Sequence, residues 1–514
     1  MAFERSRNQQ LCRRFPILLF FTLLSFAAMG YHPGLEDDGI YLTAVKADLN
    51  PALYPHNAGF FRLQLEATVF DKAMAGFIRV TGIPVAWSEL LWQLISIFAI
   101  LWACNSIARR LFREAAAHWA AVAMVGAMLT LPVAGTALFL VDQHLHPRTV
   151  ATALILLAVA KIMNRRARPA IALLALSALM HPLMAALGIS FCLFLALALN
   201  ERVSARVEGL WLGEKETTGR HGARRAGSGS AVAAVAPLGW VFAAASPGWR
   251  EALKAHSYYF IYTWTWYEWL GAIAPLVLFL ALWRWAQRRG ETSLARFASA
   301  VFAYGVFQQV VALAMLPPLG WLRLTPLQPM RYLHLVYFAI ALVCGGLLGE
   351  FVLKKSFLRW AVFLLVFNAC MLYAQRAQFP SSRHLELPGM AQSNDWLEAF
   401  DWIRQNTPKN AYFALDPYYL DRPGEDFHGF RALAERSSLA DTVKDPGVVV
   451  QVPSLGDAWL EQVQAEQGWA GFGIGDFERL KRRFGVDWVL IAGPAPAGLD
   501  CRWHDRKLAV CQIP

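Results

Sequence analysis

Tyr31-His32-Pro33-Gly34-Leu35-Glu36-Asp37-Asp38-Gly39-Ile40-Tyr41 decides how the rest of the chain is read. It follows at once on an apolar run, 15–29, whose amino side carries Arg5, Arg7, Arg13 and Arg14. Three consecutive acids therefore stand where a membrane segment emerges, opposite its positive flank. A charge pushed toward hydrocarbon is costly on any scale, so these carboxylates are either a solvated turn or a site. Pro33-Gly34 and Gly39 favour the turn. The position at the mouth of a first span, with Tyr41 following, favours the site. Adjacent carboxylates repel, so one holds its proton more tightly than a lone acid. That suits a base that takes a proton from a hydroxyl, or oxygen ligation of a divalent cation.

Composition supplies the membrane. The 514 residues are 56% hydrophobic and only 17% charged, against about a quarter charged in soluble proteins. Residues 1–374 hold 33 Lys/Arg against 18 Asp/Glu, whereas 375–514 hold 15 against 19. The basic excess falls in short loops between apolar runs. It is therefore an orientation signal rather than the one-faced patch of a nucleic-acid binder.

Apolar runs of spanning length predict about eleven transmembrane helices, at 15–31, 87–108, 116–140, 149–163, 169–181, 183–199, 231–246, 269–286, 295–316, 332–350 and 357–374. The short spans within 149–199 are also compatible with tilted or re-entrant segments. The first run has the basic start of a signal peptide, but Phe26-Ala27-Ala28-Met29-Gly30 is a poor cleavage site, and a retained anchor is expected. Arg109, Arg110 and Arg113, then Arg165, Arg166 and Arg168, then the basic residues of 201–230, then Arg288 and Arg289, then Lys354 and Lys355 all fall on the side of the amino terminus. By the positive-inside bias that side is cytoplasmic, as in a bacterial-type inner or plasma membrane. Segments 32–86, 141–148, 247–268, 317–331 and 375–514 are then extracytoplasmic.

Two domains are expected. Residues 1–374 form the membrane domain, with loop 32–86 carrying short amphipathic surface helices. Residues 375–514 form a soluble α/β domain. In that tail 393–406 reads as a helix capped by Ser393 or Asn394 and ended by Pro408. Ala411, Phe413 and Leu415 alternate as a strand. Asp476 opens a helix stopped by Gly485, 486–492 is a buried strand, and Leu508, Val510 and Ile513 suggest a last one. Cys501 and Cys511 flank a hairpin on the exported side, where a disulfide is permitted. Loop 201–230 lacks periodic apolar residues and is expected to be flexible, with no chemistry assigned.

An acidic pair at the start of the first extracytoplasmic loop, then two residues and a tyrosine, resembles the GT-C class of membrane glycosyltransferases. Asp37-Asp38-Gly39-Ile40-Tyr41 matches that class's Asp-Asp/Glu-x-x-Tyr pattern. The many-span core with a soluble tail, and the tail's Trp402-Ile403-Arg404-Gln405-Asn406-Thr407-Pro408, are similar too. The class includes protein O-mannosyltransferases, lipid A aminoarabinose transferases and oligosaccharyltransferases. The resemblance implies a sugar donor on polyprenyl phosphate or diphosphate, held in membrane lipid, and an acceptor that the sequence does not identify. It implies Asp37 as the catalytic carboxylate with Asp38 as its partner, and Glu36 and Tyr41 as substrate contacts. Arg331, in Gln328-Pro329-Met330-Arg331-Tyr332, is the candidate for the lipid phosphate because Arg pairs phosphate bidentately; an interfacial anchor would look alike.

Other polar residues are more open. Asp142-Gln143-His144-Leu145-His146-Pro147-Arg148 is a pocket segment, with Asp142 and Arg148 on sugar or phosphate, or else a tight polar turn. Its incomplete ligand set argues against zinc. His181-Pro182 is a functional histidine or a helix boundary. Tyr54 and His56 contact substrate or pack the surface. The aromatics of 258–267 stack on sugar or form an interfacial belt. No cofactor is implied beyond a divalent cation.

No P-loop, GxSxG, HExxH or GxGxxG context occurs. A transporter or flippase of a lipid-linked or anionic substrate, which would carry mid-span acids and helix repeats, is the alternative. A non-catalytic envelope scaffold is a third.

Overall fold

The computed structural model describes residues 2–203, 245–315, 322–391, 394–426 and 428–514, without the side chains of 2–13. The loop expected at 201–230 and the span expected at 231–246 therefore lie almost wholly outside the described residues.

Helix α1 (Ala2–Met29) leads to the acidic turn, which is followed by α2 (Asp38–Leu49) and α3 (Phe70–Thr81). The membrane-type helices continue as α4 (Val85–Leu111), α5 (Ala115–Gly126), α6 (Pro147–Met163), α7 (Ala167–Met180) and α8 (Pro182–Leu199). After α9 (Pro247–Lys254) come α10 (Trp266–Arg288), α11 (Thr292–Met315), α12 (Leu333–Leu348) and α13 (Phe357–Gln378). Among the described residues six helical stretches are long and apolar enough to cross a membrane: α4, α8, α10, α11, the stretch Leu322–Leu353 and α13. Shorter apolar helices stand at Arg14–Met29, α5 and α7. This is a polytopic helical membrane protein, with six such spans where about eleven are expected.

The run 116–140 differs from its expectation. Its helix stops at Gly126, and Pro132–Val133 (β1) pairs antiparallel with Leu138–Phe139 (β2). Pro132 cannot donate to a helix ladder. Gly135, at φ +63°, packs so closely on Trp264 that a Cβ would lie 2.3 Å from the indole. Elsewhere small residues set the packing. Gly345 of α12 and Gly349, one turn on and just past its end, face the backbone of α5, and a Cβ on either would come within 2.6 Å of a carbonyl oxygen, at Ala120 and Ala116. Close helix approach through small residues is how membrane helices associate when lipid is as apolar as they are. Phe15, Phe20 and Leu23 of α1 are exposed while Leu18, Phe21 and Met29 are buried, the pattern of a helix with one face to lipid.

The tail carries α14 (Asp395–Asn406), capped by the Asn394 side chain, then α15 (Phe430–Ala434), α16 (Asp445–Gln451), α17 (Gly456–Ala465) and α18 (Ile474–Phe484). Its five-stranded mixed sheet has the order β4-β3-β5-β7-β6. The strands are Tyr412–Leu415 (β3), Ser437–Ser438 (β4), Trp488–Ala492 (β5), Asp500–His504 (β6) and Leu508–Gln512 (β7). Apolar clusters cover both faces, one under α14 and α15 and one under α18. Asp476 is the third residue of α18, where it accepts the Gly473 N–H, and Gly485 ends the helix at φ +78°. Cys501 and Cys511 pair across β6 and β7 as a disulfide.

The acidic turn is wedged between the two halves of the chain. The Tyr31 N–H donates to His384 O, the Glu386 N–H to Tyr31 O, and the Gly429 N–H to Gly34 O at 2.8 Å. Gly39 and Gly429 touch backbone to backbone: a Cβ on Gly429 would lie 2.7 Å from Gly39 Cα. Only residues without side chains permit that approach.

Candidate active site

Residues 34–38 are bent by their own chemistry. Gly34 sits at φ +76° and Glu36 at φ +56°, a region that costs a non-glycine residue energy unless its surroundings hold it there. The Lys444 ammonium holds it, bonding the Glu36 carboxylate directly and standing 3.5 Å from Asp37 Oδ1. Asp37 occupies the N-cap position of α2 without using its side chain as a cap. Its carboxylate is thus left to face a cavity of about 330 Å³. The side chain is 44% accessible and lines this space.

The cavity lies at the start of α6 and at the junction of α7 and α8. It is lined by Asp37 and Tyr41, by His146 and Arg148 at the start of α6, and by His181 between α7 and α8. Tyr258, Tyr259, Gln328 and Arg331 come from the loops before α10 and α12, and Lys444 from the tail. Tyr41 packs edge-on to His146, ring centroids 4.8 Å apart. Arg148 Nη2 donates to both carboxylate oxygens of Asp142, at 2.7 and 2.8 Å, so Asp142 steers Arg148 rather than touching the cavity. Arg331 is different. It sits on the short 3-10 turn Pro329–Tyr332, its Nε has no hydrogen-bond partner, and it makes no ion pair among the described residues.

The electrostatics separate the acids. Burial pushes Asp37 up, but Lys444, His146 and Arg148 together overcome it and hold Asp37 well below the usual carboxylate range. Burial and the Arg148 charge push His146 down to about 4, against the pull of Asp37 and Asp142. His146 is therefore neutral at neutral pH. Its Nδ1 accepts the Arg148 N–H at 2.8 Å, which leaves the ring proton on Nε2, 3.5 Å from Asp37 Oδ2.

Asp38 points the other way. It accepts the Gly34 N–H at 2.6 Å, and burial, the largest influence, raises it despite His144. It neighbours Glu89 of α4, beside a separate cavity of about 760 Å³ lined by Tyr31, Lys46, Glu89 and Glu386. The structure thus brings Asp37, Glu36 (through Lys444), Tyr41, Arg148 and Arg331 together, with Asp142 behind Arg148, and does not bring Asp38, Tyr54 or His56 to the cavity. Tyr54 donates to Arg431 O at 2.9 Å, and His56 stacks on Tyr412 at 4.5 Å. Both fasten loop 32–86 to the tail.

Lys444 was not singled out by sequence reasoning, and its signal is slight. Asp441 accepts the N–H groups of Val443, Lys444 and Asp445, at 2.8, 2.5 and 3.2 Å. Asp441-x-x-Lys444-Asp445-Pro446 is the string of a helix start and carries no mark of what the lysine reaches. Among the described residues no group of three or more His, Cys, Asp and Glu side chains is arranged to hold a metal ion.

No family model matches the chain, and no curated protein matches it. Among solved structures it is similar to the oligosaccharyltransferase AglB of Archaeoglobus fulgidus in complex with an inhibitory peptide and a dolichol-phosphate. The identity is 12%, 93% of this chain and 69% of that chain are covered, and the TM-score is 0.46. It is also similar to an Archaeoglobus fulgidus oligosaccharyltransferase in complex with Zn and sulfate, at 11% identity, 93% and 68% coverage and TM-score 0.35. Both likenesses are distant.

Proposed function

We propose that the protein is an integral-membrane glycosyltransferase that moves a sugar from a polyprenyl-phosphate-linked donor to an acceptor hydroxyl on the extracytoplasmic face. One observation carries the proposal: a cationic guanidinium without a partner among the described residues, Arg331, and an anionic carboxylate, Asp37, face one cavity. The volume falls within the range of about 300–1,000 Å³ typical of small-molecule sites. Residues 1–374 form the membrane domain and 375–514 an extracytoplasmic domain that closes the cavity with Lys444.

In this reading Arg331 binds the donor phosphate bidentately, with Gln328, Tyr258 and Tyr259 beside it. The acceptor oxygen attacks the anomeric carbon in line and its proton passes to Asp37. The bond between anomeric carbon and phosphate oxygen breaks, its electron pair staying on the departing polyprenyl phosphate beside Arg331. Asp37 then returns the proton to solvent. Neutral His146 turns its Nε2 proton toward Asp37 Oδ2 from 3.5 Å. Tyr41 stays a phenol throughout, burial pushing it well up from its ordinary value.

The transport alternative asks for acids in mid-span. The buried acid of α4, Glu89, stands five residues into that helix beside Asp38, and no specific feature favours transport.

The test is transfer in nanodiscs from polyprenyl-phosphate-linked sugars to a panel of hydroxyl acceptors. Asp37→Asn is expected to lose roughly 10²- to 10⁴-fold in rate with unchanged thermal unfolding. Wild-type rates in Asp37→Asn would overturn the proposal.

A further inference from the structure

We infer that Lys444 is the resident cation of the acidic turn, doing for Glu36 and Asp37 the charge-balancing a divalent metal ion would otherwise do, so that transfer proceeds with no metal bound there. The inference rests on the transferase reading above.

Two neighbouring carboxylates at an active site invite a hard cation, which takes six or more oxygen ligands or a near-ideal octahedron. The turn does not fit one. The donors converging on Glu36 and Asp37 are the Lys444 ammonium, which bonds Glu36 and lies 3.5 Å from Asp37, and the His146 ring, 3.5 Å from the other Asp37 oxygen. Both present hydrogens, not lone pairs, to the carboxylates. A metal would have to displace an ammonium that the protein holds firmly.

The firmness is built in from below. Asp441 gathers three successive N–H groups around Lys444, as described. Arg431 clamps Asp445 with two nitrogens, each at 2.7 Å from a carboxylate oxygen. Arg431, Asp441 and Asp445 are all buried. This pedestal lies in the tail, so the cation arrives from a different part of the chain than the acids it balances. Lys444 is a positioning residue in this scheme. It keeps Asp37 ionised and aimed while leaving its outer face free for the acceptor.

Three measurements on the full chain in nanodiscs test this. Wild-type transfer is expected to change less than about two-fold after exhaustive EDTA treatment, and Mn²⁺ added to the protein is expected to show no bound signal in electron paramagnetic resonance. Lys444→Met is expected to lose about 100-fold in transfer. The acid limb of its pH profile moves to higher pH, because Asp37 has lost the charge that holds it down, and a merely structural role would not move that limb. Lys444→Arg, which keeps the charge, is expected to retain the wild-type limb and controls for folding. Stoichiometric Mn²⁺ binding that Asp37→Asn abolishes, EDTA-sensitive transfer, or a Lys444→Met limb that stays in place would overturn the inference. Absence of transfer from every donor would count against the transferase reading alone, because the resonance measurement needs no turnover.

Discussion

Asp37 and Asp38 are adjacent in the chain and do opposite things. Successive side chains on a helix start diverge by about 100°, so one acid faces the cavity while the other turns to Gly34 and Glu89. Asp37→Asn should therefore cost rate and leave stability alone, whereas Asp38→Ala, which leaves the Gly34 N–H without its acceptor, should cost about 1–3 kcal/mol in chemical unfolding. The ionisations predict a second outcome. Asp37 is anionic far into the acid range, His146 charges only near 4, and the Glu36 and Asp37 charges raise Lys444 from its ordinary value despite burial. Transfer limited by these groups should be flat from roughly pH 5 to roughly pH 10 and fall below about 4; a limb near pH 6.5 would assign the reaction to another group. That Asp37 would face a cavity was legible in the sequence, because charge next to an apolar run is hard to explain as packing. The separation of Asp38 from it was not, since it depends on the helix beginning at residue 38. Lys444 was not legible either, because an ordinary capped helix start hides what its side chain reaches.

At the scale of elements, three segments meet at one buried carboxylate. Glu386, just beyond α13, receives His32 Nδ1 at 2.9 Å and His428 Nε2 at 3.1 Å. Burial opposes its charge, but His428 and His32 bring Glu386 down to about 2, while Glu386 raises His428 against burial. The signs follow from linkage. The Glu386 contribution is complete above its ordinary 4.5 and fades as pH falls toward 2. The His428 contribution is complete below its ordinary 6.5 and fades as pH rises through the raised value. The clamp is therefore tightest between 4.5 and 6.5. Glu386→Gln should lower stability there by about 3 kcal/mol and flatten both slopes, as read from unfolding midpoints across pH. The β6–β7 disulfide should be worth about 2–3 kcal/mol, measured as the loss in Cys501→Ser/Cys511→Ser. The elements of the tail follow closely from caps and alternation: Asn394, Gly485 and the strand around Phe413 stand where local rules put them. The hairpin at 132–139 does not, because its residues are as apolar as a span. Only Pro132 and the close packing of Gly135 on Trp264 turn the chain back.

For the whole molecule the arrangement is layered. The membrane helices share one large apolar core. The acidic turn, α2, α3 and α9 lie between it and the tail, with Val448 and Val449 of the tail packed into their clusters. Composition announced the first layer and periodicity the last. The middle layer was foreseen only as surface helices, because its partners come from distant sequence. The proposed orientation has a direct check. A reporter active only outside the cytoplasm should work when fused after residue 514 and fail when fused in the loop at Arg165 and Arg166; the reverse pattern would invert the assignment.

The bond between Lys444 and the acidic turn spans a sequence separation of 408 residues. During synthesis the turn leaves the ribosome long before its counter-ion exists. A nascent chain already threaded into lipid holds these acids without that ammonium and has no completed pocket. Competence arrives only when the distal pedestal is made and docks through Gly39 and Gly429. In the proposed transfer, half-made molecules are thereby kept from acting before the pocket is built.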